Sequence, residues 1–380
     1  MINKERLVQT FLELVQINSE TSQEGEIQPI LKEKFLNLGL TVIEDDAKEK
    51  TGFGANNLIC TLAATQDNAD KIYFTSHMDT VEPGQNVKPI IKEDGYIYSD
   101  GTTVLGADDK AGLAVIFEVL QVIQEQQLPH GQLQFVITVG EESGLVGAKA
   151  LNQADLDADY GFAIDSAVPV GDITIGAPYQ MKVNATIHGK KAHASTPKEG
   201  ISAINIAAHA ISRMNLGQID EVTTANIGKF QGGGPTNIVT DLVQIWAEAR
   251  SHDKGKLDAQ VDHMKKTFMQ AAESHGCHAE VETELSYPGF RIETTDRVYK
   301  VAEQASKALG FDMHADIGGG GSDGNIINQL GIPTVILGVG YEKIHTTDER
   351  ISKQSLYDLT HYILKIIETV SQANNRFQTQ

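Results

Sequence analysis

The stretch KIYFTSHMDTV, Lys71 to Val81, decides how this chain is read. Lys71 to Thr75 is an apolar, β-prone run, and it predicts a strand over about 71–76 that leads into His77. A second ionisable residue, Asp79, follows two positions later, where the strand should be ending. Two later stretches repeat the arrangement. QLQFVITV reads as a buried strand that ends at Gly140 and delivers Glu141 and Glu142; DYGFAID reads as another and ends on Asp165. Between the first two, KAGLAVIFEVLQVIQEQ predicts a helix from about Lys110 to Gln126, with apolar residues on more than one face and therefore well buried. Strand, helix and strand in alternation imply an α/β layer with a mostly parallel sheet. Such sheets hold ligands outside the carboxyl ends of their strands, which is where His77, Glu141, Glu142 and Asp165 fall.

Working outward, helical periodicity is expected near 3–17, 26–38, 294–309 and 352–371. A strand is expected near 56–62, a hairpin around Glu93-Asp94-Gly95, and a further strand at PTVILGV. The tail from Ser371 to Gln380 reads as frayed. The middle of the chain changes rhythm. YQMKVNATIHG, ISAINIAAHAISRMN, VTTANIGKFQGG, DLVQIWAEARSH, KLDAQVDHMKKTFMQAAESHG and HAEVETELSY read in order as β-α-β-β-α-β, the ferredoxin-like pattern. The 380 residues exceed what one ordinary core serves. We therefore expect two domains: 1–175 with 287–380, and an inserted one at 176–286.

Thirty-one basic against 51 acidic residues give a formal charge of −20. A surface that acidic repels nucleic acid and anionic lipid and discounts both as partners. Two cysteines, Cys60 and Cys277, make neither a disulfide framework nor a zinc-thiolate pattern, and they suit a reducing compartment. No run reaches the ~18 apolar residues of a membrane span, and the charged opening MINKERLVQTFLELVQ is unlike a signal peptide. A cytoplasmic location is the expectation.

The polar residues His77, Asp79, Asp108, Asp109, Glu141, Glu142, Asp165 and His345 form a set. Carboxylates at this density repel when partly buried, and a site that gathers them without lysine or arginine calls for a cation. Imidazoles and carboxylates without thiolate suit zinc, cobalt or manganese. Two divalent ions sharing a carboxylate sit ~3.5–4 Å apart and activate a water. LGADDKAG fits the sharing role, being a tight turn ahead of the buried helix; the plainer reading of either aspartate is a helix cap. In TVGEESG the two glutamates point differently, so one can ligate while the other serves as general base. The run IGGGGSDG, Ile317 to Gly324, precedes a helix and could cradle a phosphate, but no Lys-Ser or Lys-Thr follows, so it is no Walker loop.

SHMDTV, LGADDKAG, GEESG, AID, KKAHAS and HTTDE, in this order, resemble the di-zinc peptidases related to peptidase T, carboxypeptidase G and acetylornithine deacetylase, with the peptidase T branch nearest. The resemblance spans nearly the whole chain. It implies an α/β catalytic domain, a mostly parallel twisted sheet flanked by helices, with a ferredoxin-like lid and dimerisation domain inserted. It implies two divalent ions, Zn2+ first and Co2+ or Mn2+ otherwise. His77 and Asp165 would serve one ion, Glu142 and His345 the other, and Asp108 would bridge both across a cis peptide to Asp109. Asp79 would orient His77, and Glu141 would take a proton from the attacking water. His193 would reach the active site of a partner subunit in a homodimer and polarise the scissile carbonyl, while His188 reads as structural. Asn237, Arg250, Gly320 and Ser322 would contact substrate; for Arg250 an ion pair within its domain is the competing reading. An aspartate at 165 goes with aminopeptidases in such proteins, so hydrolysis of short peptides, tripeptides among them, is expected. The rivals are an N-acyl amino acid deacylase or a carboxypeptidase built on the same site, and a non-catalytic relative. Where peptidase T proper carries an arginine near the glycine run, this chain has only glycines.

Overall fold

The computed structural model describes residues 1–373; the expected fraying of the tail falls mostly outside the described residues, and Ser371 to Ala373 continue the closing helix Lys353–Ala373. The chain divides into two compact units. One comprises Met1–Gly176 and the chain from Arg291 onward, the other Ala177–Phe290.

The first unit is built on a mixed sheet whose strands run in the spatial order Thr41–Glu44, Leu58–Leu62, Leu133–Thr138, Ile72–His77, Tyr160–Ser166, Thr334–Gly338 and Ile173–Ala177. Ile72–His77 pairs in parallel with both of its neighbours, and Thr334–Gly338 is parallel to Tyr160–Ser166. The flanks turn antiparallel, at Leu58–Leu62 on one side and between Thr334–Gly338 and Ile173–Ala177 on the other. Every residue of Ile72–His77 and of Leu133–Thr138 is buried, because helices cover both faces and no position is left for alternation. The rings of Phe74 and Phe135 lie 5.9 Å apart and those of Phe74 and Phe162 5.4 Å, forming a stacked row through the core. On the opposite face, Gly161 makes room for the Tyr73 ring beside it: a Cβ there would lie 2.0 Å from that ring.

The expected buried helix is Ala107–Gln126, starting three residues earlier than the periodicity suggests. Its first turn is interrupted at Asp108 and Asp109, whose backbone angles are not helical and whose shared peptide bond is cis. The expected hairpin forms between Ile90–Ile91 and Tyr96–Tyr98. It joins a separate small sheet with Arg350–Ser352 and Tyr341–Glu342, a pairing across about 250 positions that no local pattern announces. The strands Thr41–Glu44 and Ile173–Ala177 were likewise not expected.

The second unit has the order Tyr179–His188, helix Ala203–Arg213, Thr223–Gly232, Leu242–Ser251, helix Lys254–Glu273 and His278–Tyr287. Its antiparallel sheet runs Thr223–Gly232, Leu242–Ser251, Tyr179–His188, His278–Tyr287, with Gly217–Gln218 at the outer edge of the first strand. Val183, Ala185, Ile187, Val243 and Ile245 pack with Ile206, Met264 and Phe268 from the helices. The alternate positions of those strands face away from that core, which is the one-sided burial of an antiparallel sheet. Among the described residues, no helix is long and apolar enough to cross a membrane.

Candidate metal centre

The carboxyl ends of the parallel strands in the first unit carry the chemistry. His77 closes Ile72–His77 and Asp165 lies one residue before the end of Tyr160–Ser166. Glu141 and Glu142 follow Leu133–Thr138 after Val139 and Gly140. Asp108 sits in the interrupted first turn of Ala107–Gln126. His345 lies in the loop after Tyr341–Glu342 with φ at 61°, in the left-handed region where a side chain is costly unless its surroundings hold it.

These groups meet. Asp108 turns its two oxygens to two different imidazoles: Oδ1 is 3.1 Å from His77 Nε2, and Oδ2 is 3.3 Å from His345 Nε2. His345 Nε2 is also 3.0 Å from Glu142 Oε1, and His77 Nε2 is 3.8 Å from Asp165 Oδ1. Two sets of donor atoms lie mutually within 4.8 Å: His77, Glu141 and Asp165, and His77, Asp108 and Glu142. Glu141 is thus close enough to ligate as well as to act on a proton. Asp108, Glu141, Glu142, Asp165 and His345, together with Asp316, the glycines 318–321 and Tyr341, line a cleft of about 690 Å³.

The supports are as specific as the donors. Asp79 is fully buried. Its Oδ1 is 3.3 Å from His77 Nδ1, and its carboxylate accepts the backbone N–H groups of Glu141 at 3.0 Å and Glu142 at 3.2 Å. One side chain thereby fixes the ring of His77 and the turn that carries both glutamates. Asp109 goes the other way: it accepts from Ser76 Oγ and from the Gly112 N–H, and a Cβ on Gly112 would lie 2.6 Å from its carboxylate. The helix-cap reading therefore holds for Asp109, while Asp108 faces the cleft.

The electrostatics are those of a site short of positive charge. Burial, and then the charge of Asp165, push the Glu141 carboxyl well above its usual range. Burial and Asp108 do the same to Asp165, and burial raises Glu142. Asp108 is held low: burial opposes this, but His345 and His77 outweigh it. His345, hydrogen-bonded to Asp108 and Glu142, is raised to about 10. The carboxylates push both imidazoles toward their charged forms, His77 against the opposing effect of burial, which marks a place that asks for a cation. This donor set, mixed nitrogen and oxygen without sulfur, fits divalent metal ions. One expectation needs amendment. The carboxylates are not wholly without lysine, since Lys110 is buried within the field of Asp79, Glu349, Asp109 and Asp108, and burial brings its ammonium down to about 8. One buried lysine does not balance so many acids.

The remaining expected residues separate. Gly320 lines the cleft. Ser322 lines it too, but its hydroxyl is engaged as the cap of helix Asp323–Gln329, accepting from the Gly324 N–H at 3.2 Å. His193, Asn237 and Arg250 belong to the second unit. His193 lies on the short strand Ala192–His193, which pairs with Ile238–Val239, and the Ala194 N–H donates to the Asn237 carbonyl at 2.8 Å. His193 Nδ1 accepts the Ser195 N–H at 3.1 Å, which in the neutral ring leaves the proton on Nε2. Arg250 Nε donates to Glu248 Oε1 at 2.8 Å, so the ion pair within its own unit is present.

The model of peptidase family M20/M25/M40 matches residues 73–369. The chain belongs to this family. Among solved structures, a tripeptidase from Staphylococcus aureus subsp. aureus Mu50 superposes with a TM-score of 0.96 at 62% identity, over 98% of this chain and 100% of that one. The aminopeptidase PepT from Bacillus cereus ATCC 10987 gives a TM-score of 0.91 at 56% identity, over 97% of this chain and 99% of that one. YqjE of Bacillus subtilis (strain 168) is 54% identical over 369 residues, 97% of this chain and 99% of the relative. The similarity to peptidase T read from the motifs is thus borne out, and this M20 chain is a peptidase-family hydrolase whose clustered donors agree with the metal dependence of the family.

Sequence reasoning missed several supports of this M20 site. Glu349 is buried and accepts three backbone N–H groups, from Leu105 and Gly106 at 2.8 Å and from Asp108 at 3.0 Å, and so shapes the turn that presents Asp108. Its carboxyl is raised to about 7 by burial, against those three donors. The Tyr341 hydroxyl donates to Asp165 Oδ1 at 3.1 Å. Buried Glu24 accepts the Gly140 N–H at 3.0 Å just ahead of the two glutamates. Glu349 was visible as the last letter of HTTDE, but nothing local says that it caps a turn more than 240 residues earlier.

Proposed function

We propose that this chain is a metal-dependent aminopeptidase of short peptides, tripeptides among them, working with two divalent ions, zinc first and cobalt or manganese otherwise. The observation that carries the reading is Asp108, one carboxylate whose two oxygens address two different histidines, His77 and His345. His77 and Asp165 would hold one ion, Glu142 and His345 the other, with Asp108 common to both. When bound, such ions polarise the scissile carbonyl and lower the pKa of an attacking water.

The protein's own groups do the rest. Glu141 accepts the proton of the attacking water on its carboxylate and passes it to the leaving amine. Burial keeps that carboxylate basic. Asp79 holds both the His77 ring and the Glu141–Glu142 turn, so the base and a ligand share one support. His193, with its proton on Nε2, donates to the carbonyl oxygen as it gains charge. It does so across a homodimer in which the inserted unit supplies the contact. The glycines 318–321 give the substrate a backbone surface, and Asn237 and Arg250 contribute to binding. A cytoplasmic setting for peptide turnover accords with the acidic composition.

Support comes from the convergence of His77, Asp108, Glu142, Asp165 and His345, and from the likeness to proteins described as a tripeptidase and as aminopeptidase PepT. A panel of di-, tri- and tetrapeptides with free amines, set against N-acylated amino acids in the presence of zinc, cobalt or manganese, tests the proposal. Release of the N-terminal residue is the expected result. Turnover confined to N-acylated amino acids, or release from the carboxyl end, would replace it with the deacylase or carboxypeptidase reading.

A further inference from the structure

The sequence reads His188 as structural, yet its surroundings are those of a ligand. It ends the strand Tyr179–His188 and lies directly opposite His278, the first residue of the antiparallel strand His278–Tyr287. Directly opposed residues share a face, and Glu280, two positions along from His278, projects from that face as well. The imidazole rings of His188 and His278 are stacked, with centroids 4.5 Å apart and planes 13° from parallel. Glu280 Oε1 lies 3.4 Å from His188 Nε2 and 3.8 Å from His278 Nε2. Donor atoms of the three residues lie mutually within 4.8 Å. His188 Nε2 is shielded from solvent and has no hydrogen-bond partner.

We propose that His188, His278 and Glu280 form a binding site for one divalent transition-metal ion on the sheet of the second unit, separate from the centre in the first. Two imidazoles and a carboxylate make a set that zinc and copper favour and that calcium and magnesium do not. Ligands at ~2.0–2.1 Å in a tetrahedral shell are separated by roughly 3.3 Å, near the present spacings of 3.4 and 3.8 Å from Glu280 Oε1 to the two Nε2 atoms; the exposed His278 ring turns out of the stack so that both in-plane lone pairs meet at one ion. Stacking alone explains why the two rings are parallel. It does not explain why both Nε2 atoms approach the same carboxylate oxygen, nor why a shielded ring nitrogen lacks a partner, a state with a desolvation cost that an ion would remove. Glu282 and Glu284 continue the same alternation along His278–Tyr287 and add negative charge to that face.

The site has a structural consequence. His278–Tyr287 is the edge strand of its sheet, and an ion bridging His278 and Glu280 to His188 would pin that edge to its neighbour. His188 leads through Gly189, whose N–H donates to the Asp241 carbonyl at 2.8 Å, into the segment that carries His193. The ion would therefore brace the root of that segment without touching His193.

The test uses the full chain with its first-unit centre already loaded. Equilibrium dialysis against zinc with metal analysis should show one further equivalent bound to the wild type. His278→Ala should weaken that equivalent by at least about tenfold, Glu280→Gln should weaken it less, and His275→Ala, a histidine of the same unit outside the cluster, should leave it unchanged. Cu2+ added to the zinc-loaded protein should give an electron paramagnetic resonance spectrum coupled to two imidazole nitrogens, reduced to one in His278→Ala. Amide exchange of Ala279 to Ser286 should slow when the ion binds. His278 and Glu280 are exposed, so the variants keep the fold. The proposal is overturned if the wild type takes up no further equivalent, or if His278→Ala binds it as tightly. Either result leaves the first-unit centre untouched.

Discussion

The strands Leu133–Thr138 and Tyr179–His188 are both strand-forming sequences, and they serve opposite ends. The first is buried at every position; the second alternates between its core and the open side. In the first unit a polar group at the end of a strand emerges among other buried groups and must find its partners there. That is why Asp79 accepts two backbone N–H groups, Glu349 accepts three, and Asp108 faces two histidines. In the second unit a polar side chain has water as an alternative, and its arrangement depends on local bonds such as the Ser195 N–H to His193. The lesson is that charge in the first unit is over-determined by its surroundings, whereas in the second it is poised by one or two contacts. Substitutions should therefore act differently in the two.

The largest effect should come from Glu141. Glu141→Ala should lower kcat by roughly 10²–10⁴-fold and leave metal content as in the wild type, read by metal analysis beside steady-state kinetics. A variant that loses its metal together with its activity would make Glu141 a ligand, which its distance to His77 and Asp165 also allows. Next comes His193. His193→Ala should lower kcat by roughly 10²–10³-fold, the effect of losing a donor to a developing oxyanion, with metal content unchanged and the melting temperature close to the wild type because the side chain is exposed. Equal kcat in this variant would confine catalysis to the first unit. Glu349→Ala should be smaller in turnover but visible in metal retention. It frees three backbone donors around Asp108, and loss of such a support costs about 10–100-fold in metal affinity. A competition assay with a chelator would read it, and unchanged affinity would show that the turn holds Asp108 without Glu349.

The same contrast explains what is legible in the sequence. The α/β layer and the βαββαβ insert were legible because their signal is local: continuous apolar runs in one case and alternation in the other. His77, Glu141, Glu142 and Asp165 were legible because they lie at or just past the carboxyl end of an apolar strand, and Asp108 because it opens a buried helix. Asp109 shows the limit, since only the backbone of its turn decides that it caps the helix while its neighbour faces the cleft. Glu349, Tyr341 and Glu24 were missed because their partners lie far away in the chain, and a buried acceptor of backbone N–H groups leaves no periodic trace. The Arg350–Ser352 strand was missed for a related reason: three residues paired with Tyr96–Tyr98 are too short to show a period.

The smallest effect sharpens the comparison furthest. Ser195 offers His193 Nδ1 two contacts, its backbone N–H at 3.1 Å and its hydroxyl at 2.7 Å. Ser195→Ala removes the hydroxyl and keeps the N–H, and the N–H alone is enough to keep Nδ1 an acceptor and the ring proton on Nε2. The cost should then be that of one solvent-exposed neutral hydrogen bond, about 0.5–1.5 kcal/mol and nearer the lower figure, seen as a several-fold fall in kcat with KM unchanged. Ser195→Pro would remove the N–H as well. If the two contacts act through the tautomer, the proline variant should approach His193→Ala in kcat and the alanine variant should not. An alanine variant as impaired as His193→Ala would mean that the hydroxyl, not the backbone, orients the ring. The second unit would then depend on a side-chain network of the kind that the first unit builds around Asp79.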